Sequence, residues 1–314
     1  MAQITRELPQ PPVAPPELDE LLFNPKDDEL EFLRSAISKD EAELRRRVVE
    51  VQRDEHRDIH DEGCANSHAA SAVYPYPCLR GFHHVALMMS RNPIYPEVLQ
   101  SGVSLGEDTL FLDLGCCMGT DVRKLAADGY PSSRILGCDL RQIFLDLGHK
   151  LYRDSESGTC PIHFFTSDIF AVQVPLDLKS DPGPLKISDV QDLSQLAGRV
   201  RHIYTGALFH LFDEETQKAI ALRLALLLMR EPGSVIFGRH QGLRDAGYID
   251  DHLGRLRYGH SPLSWPAMWR TVFEEVAPQS QLTLEIQAEL AGGPQGLVQP
   301  MQGQLVWSVK IVTV

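Results

Sequence analysis

Apolar positions along this chain change period twice, and each change marks a different kind of element. Between residues 17 and 60 the sequence is charge-rich, and Leu30, Leu33 and Ile37, then Leu44, Val48 and Val51, fall three or four apart. That spacing predicts two amphipathic helices. From residue 109 the pattern becomes short unbroken apolar runs, near 109–114, 134–138, 161–166, 199–204 and 234–238, separated by helical stretches near 120–129, 141–153, 188–196 and 214–230. A strand covered on both faces has no polar side, so such runs joined by helices predict a parallel sheet wound on both sides. After a helix over 263–276 the period drops to two. Gln281 to Leu290 and Gln304 to Val314 alternate, with Gly292, Gly293, Pro294, Gly296 and Pro300 between them. They predict a terminal antiparallel hairpin. The expected fold is α/β and Rossmann-like, a seven-stranded, mostly parallel sheet ending in that hairpin, with an N-terminal helical extension. Residues 1–105 are expected to form the arm, helices and a lid segment, and 106–314 the core.

The first run of the core carries the chemistry. It passes through Asp113 into a turn punctuated by Gly115 and Gly119, and twenty residues past Gly119 the second run closes on Asp139. Glycine lets the backbone turn sharply and approach a ligand with no Cβ in the way. A carboxylate about twenty residues beyond such a turn meets ribose hydroxyls and accepts two charge-assisted hydrogen bonds. The nucleotide is not a dinucleotide, because that fingerprint is G-x-G-x-x-G and this chain has Cys117 at the middle glycine and Thr120 at the third. A side chain at Cys117 is accommodated if the turn keeps φ negative there.

Composition narrows the partners. With 30 basic and 43 acidic residues the formal charge is −13, which repels phosphate backbones, and no nucleic-acid partner is expected. No stretch reaches the roughly 18 apolar residues of a membrane span. Met1 to Leu18, with Pro9, Pro11, Pro12, Pro15 and Pro16, reads as an extended arm rather than a secretory signal. Cys64, Cys78, Cys116, Cys117, Cys138 and Cys160 include no C-x-x-C pair, so reduced thiols in a cytoplasmic setting are expected, in a monomer or homodimer. His56 and His60 have metal-ligand spacing on a helix but no third ligand nearby, and no metal is expected. The segment Tyr74-Pro-Tyr-Pro-Cys-Leu-Arg-Gly-Phe-His-His concentrates aromatic and cationic groups ahead of the core. It suits a lid, with Tyr74 or Tyr76 over a ligand and Arg80 on a carboxylate, or equally a loop anchored by its prolines.

Phe111-Leu-Asp-Leu-Gly-Cys-Cys-Met-Gly-Thr-Asp-Val-Arg-Lys-Leu, Gly137-Cys-Asp-Leu-Arg, Ser167-Asp-Ile-Phe and Leu208-Phe-His-Leu-Phe-Asp together resemble the class I S-adenosylmethionine-dependent methyltransferases. With Tyr76-Pro-Cys-Leu-Arg upstream and His260-Ser-Pro-Leu-Ser-Trp downstream, the chain looks like those of fungal meroterpenoid and related secondary-metabolite pathways. The resemblance implies S-adenosylmethionine as cofactor and S-adenosylhomocysteine as product. It implies that Asp113, Gly115, Cys117 and Gly119 hold the methionine end, Asp139 and Leu140 the ribose, and Asp168 and Ile169 the adenine edge. Asp168 reads alternatively as a helix N-cap. Thr205, Gly206 and Ala207 would lie beside the sulfonium, with Tyr76 closing over the cofactor. For the acceptor, a small molecule, His210 and His260 are candidates to contact reacting atoms, and Arg80, Arg239, His240 and Trp265 to bind the substrate. Trp265 and Trp269, four apart on a helix, read also as core. The implied reaction is O-methylation of a carboxyl or hydroxyl group. Carbon or nitrogen transfer and an inactive cofactor-binding partner are the alternatives, and a nicotinamide dehydrogenase conflicts with the glycine spacing.

Overall fold

The computed structural model describes residues 18–65, 80–105, 109–155, 160–174, 185–249, 256–278, 282–291 and 302–313. Two helices come first, α1 (Asp27–Ala36) and α2 (Glu41–Ala65). Asp40 starts α2 by accepting from the Ala42 and Glu43 N–H groups at 2.9 and 3.0 Å, satisfying donors that a helix start leaves orphaned. The predicted apolar stripe does its work, since Leu33, Leu44, Val48 and Val51 are buried. A third helix, α3 (Tyr95–Leu105), lies just before the core and has no counterpart among the sequence expectations.

The core alternates β1 (Leu110–Leu114), α4 (Thr120–Ala127), β2 (Ile135–Asp139), α5 (Gln142–Tyr152), β3 (His163–Thr166), β4 (Val200–Gly206), α6 (Glu214–Leu227) and β5 (Val235–Leu243). It then adds β6 (Gly247–Ile249), β7 (Arg257–Gly259), α7 (Ser264–Val276), β8 (Thr283–Ala291) and β9 (Gln302–Thr313). The main sheet has seven strands in the order β3-β2-β1-β4-β5-β9-β8. The first five are parallel, and β9 pairs antiparallel with both β5 and β8. The Rossmann-like sheet with a terminal hairpin is therefore present as expected. Strand order reverses between β1 and β4, where open α/β sheets hold ligands at the carboxyl ends of their strands.

One face of the sheet packs Leu112, Ile203 and Ile236 against α6 and α7, and the other packs Phe111, Tyr204 and Phe237 with Tyr95 and Val98 of α3 and Val122 of α4. α1 and α2 pack on α5 through Leu33, Leu44, Val48, Phe144 and Leu147. The helix expected over 188–196 is replaced by two 3-10 turns, Ile187–Asp189 and Leu193–Leu196. Val190, Leu193 and Leu196 are fully buried at a spacing of three, the 3-10 period, and Asp192 caps the second turn by accepting from Ser194 N–H at 2.7 Å. The small antiparallel pair β6–β7 was also not anticipated.

Candidate functional site

The turn after β1 is built to face a ligand. Gly115 and Gly119 have φ of +80° and +70°, and a Cβ placed on Gly115 would meet nothing within 4 Å, so the space ahead of the turn is open. Gly119 is needed for the opposite reason, because a Cβ there would lie 2.6 Å from the Phe164 ring. Cys117 departs from expectation. Its φ is +51°, in the left-handed region, where a side chain costs about 1–2 kcal/mol. The turn accepts this because the Cys117 N–H donates to Asp139 Oδ2 at 2.9 Å, which ties the loop to the tip of β2. Asp139 Oδ1 accepts from Arg141 N–H at 3.1 Å.

Three carboxyls gather at this corner. Asp113 is 2% exposed, its Oδ1 has no hydrogen-bond partner among the described residues, and burial followed by the charges of Asp121 and Asp139 pushes its carboxyl well above the usual range. Asp121, in the first turn of α4, is pushed up to about 6 by burial, partly opposed by the N–H groups of Met88 and Met89 that it accepts at 2.9 and 3.0 Å. Burial also raises Asp139, against its two backbone hydrogen bonds. The charges of Arg239 and Arg91 partly offset Asp121 and that of Arg141 partly offsets Asp139, but Asp113 feels only burial and its neighbouring acids, and a cationic ligand would relieve it. The orphaned Asp113 oxygen and the open space at Gly115 therefore fit an adenosyl cofactor with an ammonium and a sulfonium. Asp168 is exposed and caps its own turn by accepting from Phe170 N–H at 2.9 Å, while Ile169 is buried. Leu140 is exposed beside Asp139.

Across the switch point the chemistry changes. Thr205 is buried with no partner for its hydroxyl among the described residues, and Ala207 follows at φ +56°, its N–H donating to Arg239 carbonyl oxygen at 2.8 Å. Left-handed non-glycine residues at a strand's carboxyl end mark places where surrounding structure holds strained backbone. His210 lies in the 3-10 turn Phe209–Leu211, half-buried, and burial with the charges of Arg257 and Arg239 lowers its imidazole to about 4. His240 is 1% exposed, and burial, then His210, His260 and Arg239, push it well below its ordinary value. Its Nδ1 accepts from Trp307 Nε1 at 3.0 Å, so the neutral ring carries its proton on Nε2. Trp265 packs against it with ring centroids 4.5 Å apart, and against His260 at 5.1 Å. Burial lowers His260 to about 4, and its Nδ1 meets Ser264 Oγ at 2.9 Å. His210 Nδ1, His240 Nε2, His260 Nε2, Trp265 Nε1 and Trp269 Nε1 are all buried with no hydrogen-bond partner among the described residues.

No family model matches the chain. Curated relatives do. It is 35% identical over 279 residues to the Asnovolin E/Chermesin D methyltransferase nvfJ of Aspergillus novofumigatus (strain IBT 16806), covering 88% of each chain. The chain belongs to the fungal secondary-metabolite methyltransferases. This methyltransferase is also 34% identical to the O-methyltransferase phiE of Fungal sp. (strain ATCC 74256), covering 70% of its own chain and 69% of that one. Methyltransferase ausD of Penicillium brasilianum is 32% identical over 70% of each chain. Solved structures are more distant. The methyltransferase domain of bacterial CtHen1-C gives a TM-score of 0.45 at 13% identity over 70% of this chain and 97% of that one. A complex of DhpI with SAH gives 0.41 at 14% identity over 84% and 97%.

The structure brings Asp113, Gly115, Cys117, Gly119 and Asp139 to one corner, and His210, His240, His260, Trp265 and Arg239 to the carboxyl ends of β4 and β5. Arg80 is half-buried and its carbonyl accepts from Gln52 Nε2 at 3.0 Å. Tyr74 and Tyr76 fall outside the described residues, as do Cys64, Cys78 and the side chains of His56 and His60. Cys116, Cys117, Cys138 and Cys160 are free thiols. Sequence reasoning missed Asp121. Its signal was available, a carboxyl two residues past Gly119 in the first turn of α4.

Proposed function

We propose that this methyltransferase transfers the methyl group of S-adenosylmethionine to an oxygen of a small-molecule secondary metabolite, a carboxyl or hydroxyl group on a terpenoid- or polyketide-derived, meroterpenoid-type acceptor. The observation that carries the reading is the buried acid corner at the β1 turn, faced across the switch point by neutral imidazoles. Asp113 and Asp121 hold the cofactor's ammonium, Asp139 with Leu140 its ribose, and Asp168 with Ile169 its adenine. Thr205, Gly206 and Ala207 border the sulfonium. When bound, the cofactor supplies an electrophilic methyl group, and the protein's part is alignment and exclusion of water.

His210, His260, His240, Trp265, Arg239 and Arg80 serve the acceptor. A base with a pKa near 4 is poorly matched to a phenol near 10, whereas a carboxylic acid near 4 arrives ionised. The lowered imidazoles therefore favour a carboxyl acceptor over a hydroxyl and act as hydrogen-bond donors to its oxygens. The relatives phiE, an O-methyltransferase, and nvfJ, an Asnovolin E/Chermesin D methyltransferase, support the same class.

The test is mass spectrometry of products from a panel of carboxylic acids and phenols supplied with methyl-labelled cofactor. Methyl esters or ethers are expected, and label found only on carbon or nitrogen overturns the reading. An inactive cofactor-binding partner would bind S-adenosylmethionine by calorimetry yet pass no label to any member of the panel. His210→Ala is expected to lower turnover at least about tenfold while leaving cofactor affinity within about twofold, the loss of a contact to the reacting group. Full activity in that variant removes His210 from the reaction.

A further inference from the structure

A cavity of about 320 Å³ opens beside the acceptor side of the site, between the N-terminal layer and the β4, β5, β8 and β9 strands. Its polar walls are Lys26, Arg91, Asn92, Tyr204, Arg239 and Gln304. Asn92 is structural, since its Nδ2 donates to the carbonyl oxygens of Gly238 and Trp307 at 3.1 and 3.2 Å and clasps this layer onto the sheet. Arg91 is neutralised, with Glu29 at 2.7 Å and Asp28 at 3.3 Å. Arg239 is not. Its Nη1 donates to the neutral Gln304 Oε1 at 2.9 Å, its Nε has no partner, and among the described residues no carboxylate lies within ion-pair distance of it. Asp121 feels its charge from farther off but is engaged by the Met88 and Met89 N–H groups.

Tyr204 supplies the second observation. It is 2% exposed, its ring packs on Phe237 with centroids 5.1 Å apart, and its hydroxyl, next to the Arg239 side chain, makes no well-aligned hydrogen bond. A buried hydroxyl without an acceptor, adjoining a guanidinium without a counter-ion, is a pair of donors lacking an anionic oxygen.

We propose that this cavity anchors a carboxylate of the methyl acceptor, with Tyr204 Oη donating to one oxygen and Arg239 supplying the charge. The proposal rests on the methyltransferase reading and adds a specificity residue, Tyr204, to it. The cofactor's own carboxylate is the other source of this chemistry. It is disfavoured because the cavity reaches β8 and β9, on the far side of the sheet from Asp139 and Asp168, and its volume suits a small ligand rather than one carboxylate.

The experiment uses the full chain saturated with S-adenosylhomocysteine and titrated with benzoate and with benzamide, its neutral counterpart. Wild type is expected to prefer benzoate by about tenfold or more, the scale of a charge-assisted pair. Tyr204→Phe, which keeps the ring packing, is expected to weaken benzoate about three- to tenfold with benzamide unchanged, and Arg239→Gln to abolish the preference. Gln304→Glu, at the rim, sets a carboxylate against Arg239 and is expected to reduce benzoate binding even if the buried variants fold poorly. No preference in wild type, or a preference that survives Arg239→Gln and Gln304→Glu, overturns the proposal. If Tyr204→Phe instead weakens S-adenosylhomocysteine by the same factor, the cavity holds the cofactor's carboxylate and the acceptor assignment fails, while the methyltransferase reading stands.

Discussion

On the β1–β2 side of the switch point the ionisable groups that face the site are carboxyls, buried Asp113 and Asp139 and half-buried Asp121, all raised by burial. On the β4–β5–β9 side they are imidazoles, His210, His240 and His260, all lowered by it. Desolvation has one rule, that the charged form is disfavoured, and it acts here on opposite chemistries. The acid corner is a place waiting for positive charge. The imidazole and indole cluster is apolar, neutral and supplied with donors, suited to an oxygen-bearing acceptor. The two halves differ also in construction. The acids stand on a turn held by backbone hydrogen bonds, whereas the rings hold one another: Trp265 lies within 5.1 Å of Phe209, His240, His260 and Trp307 by ring centroids.

The most severe test of that division is Trp265→Ala. Trp265 is fully buried, so truncation is expected to cost about 3–5 kcal/mol of stability through lost packing and the cavity left behind. Molecules that remain folded at low temperature are expected to bind S-adenosylhomocysteine normally, because the ring neighbours of Trp265, namely Phe209, His240, His260, Trp269 and Trp307, include no residue of the acid corner, although one hydrophobic cluster runs from α7 to Leu112 and Leu114 of β1. Denaturant melts with calorimetry on the same sample check both. A parallel loss of cofactor affinity would mean that the halves are one cooperative unit.

Asp139→Ala acts on the other half. It removes the acceptor of Cys117 N–H as well as the expected ribose contacts, and cofactor affinity is expected to fall by about 1.5–3 kcal/mol, ten- to roughly a hundredfold in Kd. Stability should change less than in Trp265→Ala. Unchanged affinity by calorimetry would displace the cofactor from this corner.

The halves should also respond to acid with opposite signs. The imidazoles have folded pKa values below the unfolded one near 6.5, so the stability they permit is present above pH 6.5 and is lost as pH falls toward 4. Asp121 has a folded value near 6 against 3.8, so its contribution is greatest below pH 4 and is lost as pH rises through 6. Allowing for its partial exposure, that contribution is about 2 kcal/mol. Asp121→Asn deletes it, so the variant should gain up to about that much relative to wild type at pH 7 and then lose stability more steeply between pH 6.5 and 4. Chemical denaturation at several pH values gives both slopes, and identical ones would place Asp121's proton outside the folding equilibrium.

The two halves were not equally legible in the sequence. The acid corner could be read because its geometry is local: a strand, a glycine turn and an acid twenty residues on fix where Asp113 and Asp139 meet. The parallel strands and the hairpin could be read for the same reason, each resting on a period of a few residues. The acceptor half is assembled from distant segments. His210, His240 and His260 were visible one by one, but nothing in their spacing says that Trp307, which the sequence did not single out, donates to His240, or that Tyr204 and Arg239 share a cavity with residues of the N-terminal layer. The expected helix over 188–196 failed more narrowly. Val190, Leu193 and Leu196 at intervals of three fit a helical stripe as well as a 3-10 one, and only the polar caps between them decide.

The smallest expected effect sharpens the comparison most cheaply. Cys117 is the position where the sequence departs from a glycine-punctuated turn, and the expectation that its φ stays negative fails at +51°. Two contributions then compete in Cys117→Gly. Relief of the left-handed side chain favours the variant by about 1 kcal/mol, and the added freedom of glycine in the unfolded chain opposes it by about 0.5–1 kcal/mol. The side chain also packs at the margin of the cluster holding Met118 and Phe144, a contact the variant loses. The net change in stability should therefore lie within about 0.5 kcal/mol of zero. Cofactor affinity should be equal or slightly higher, since the backbone N–H to Asp139 remains and the open side of the turn widens. Acceptor turnover should not move, because Cys117 belongs to the acid corner alone. A variant that melts normally, binds cofactor as well as wild type and yet loses acceptor turnover would show that the thiol reaches across the switch point, and the division between the halves would have to be redrawn through this residue.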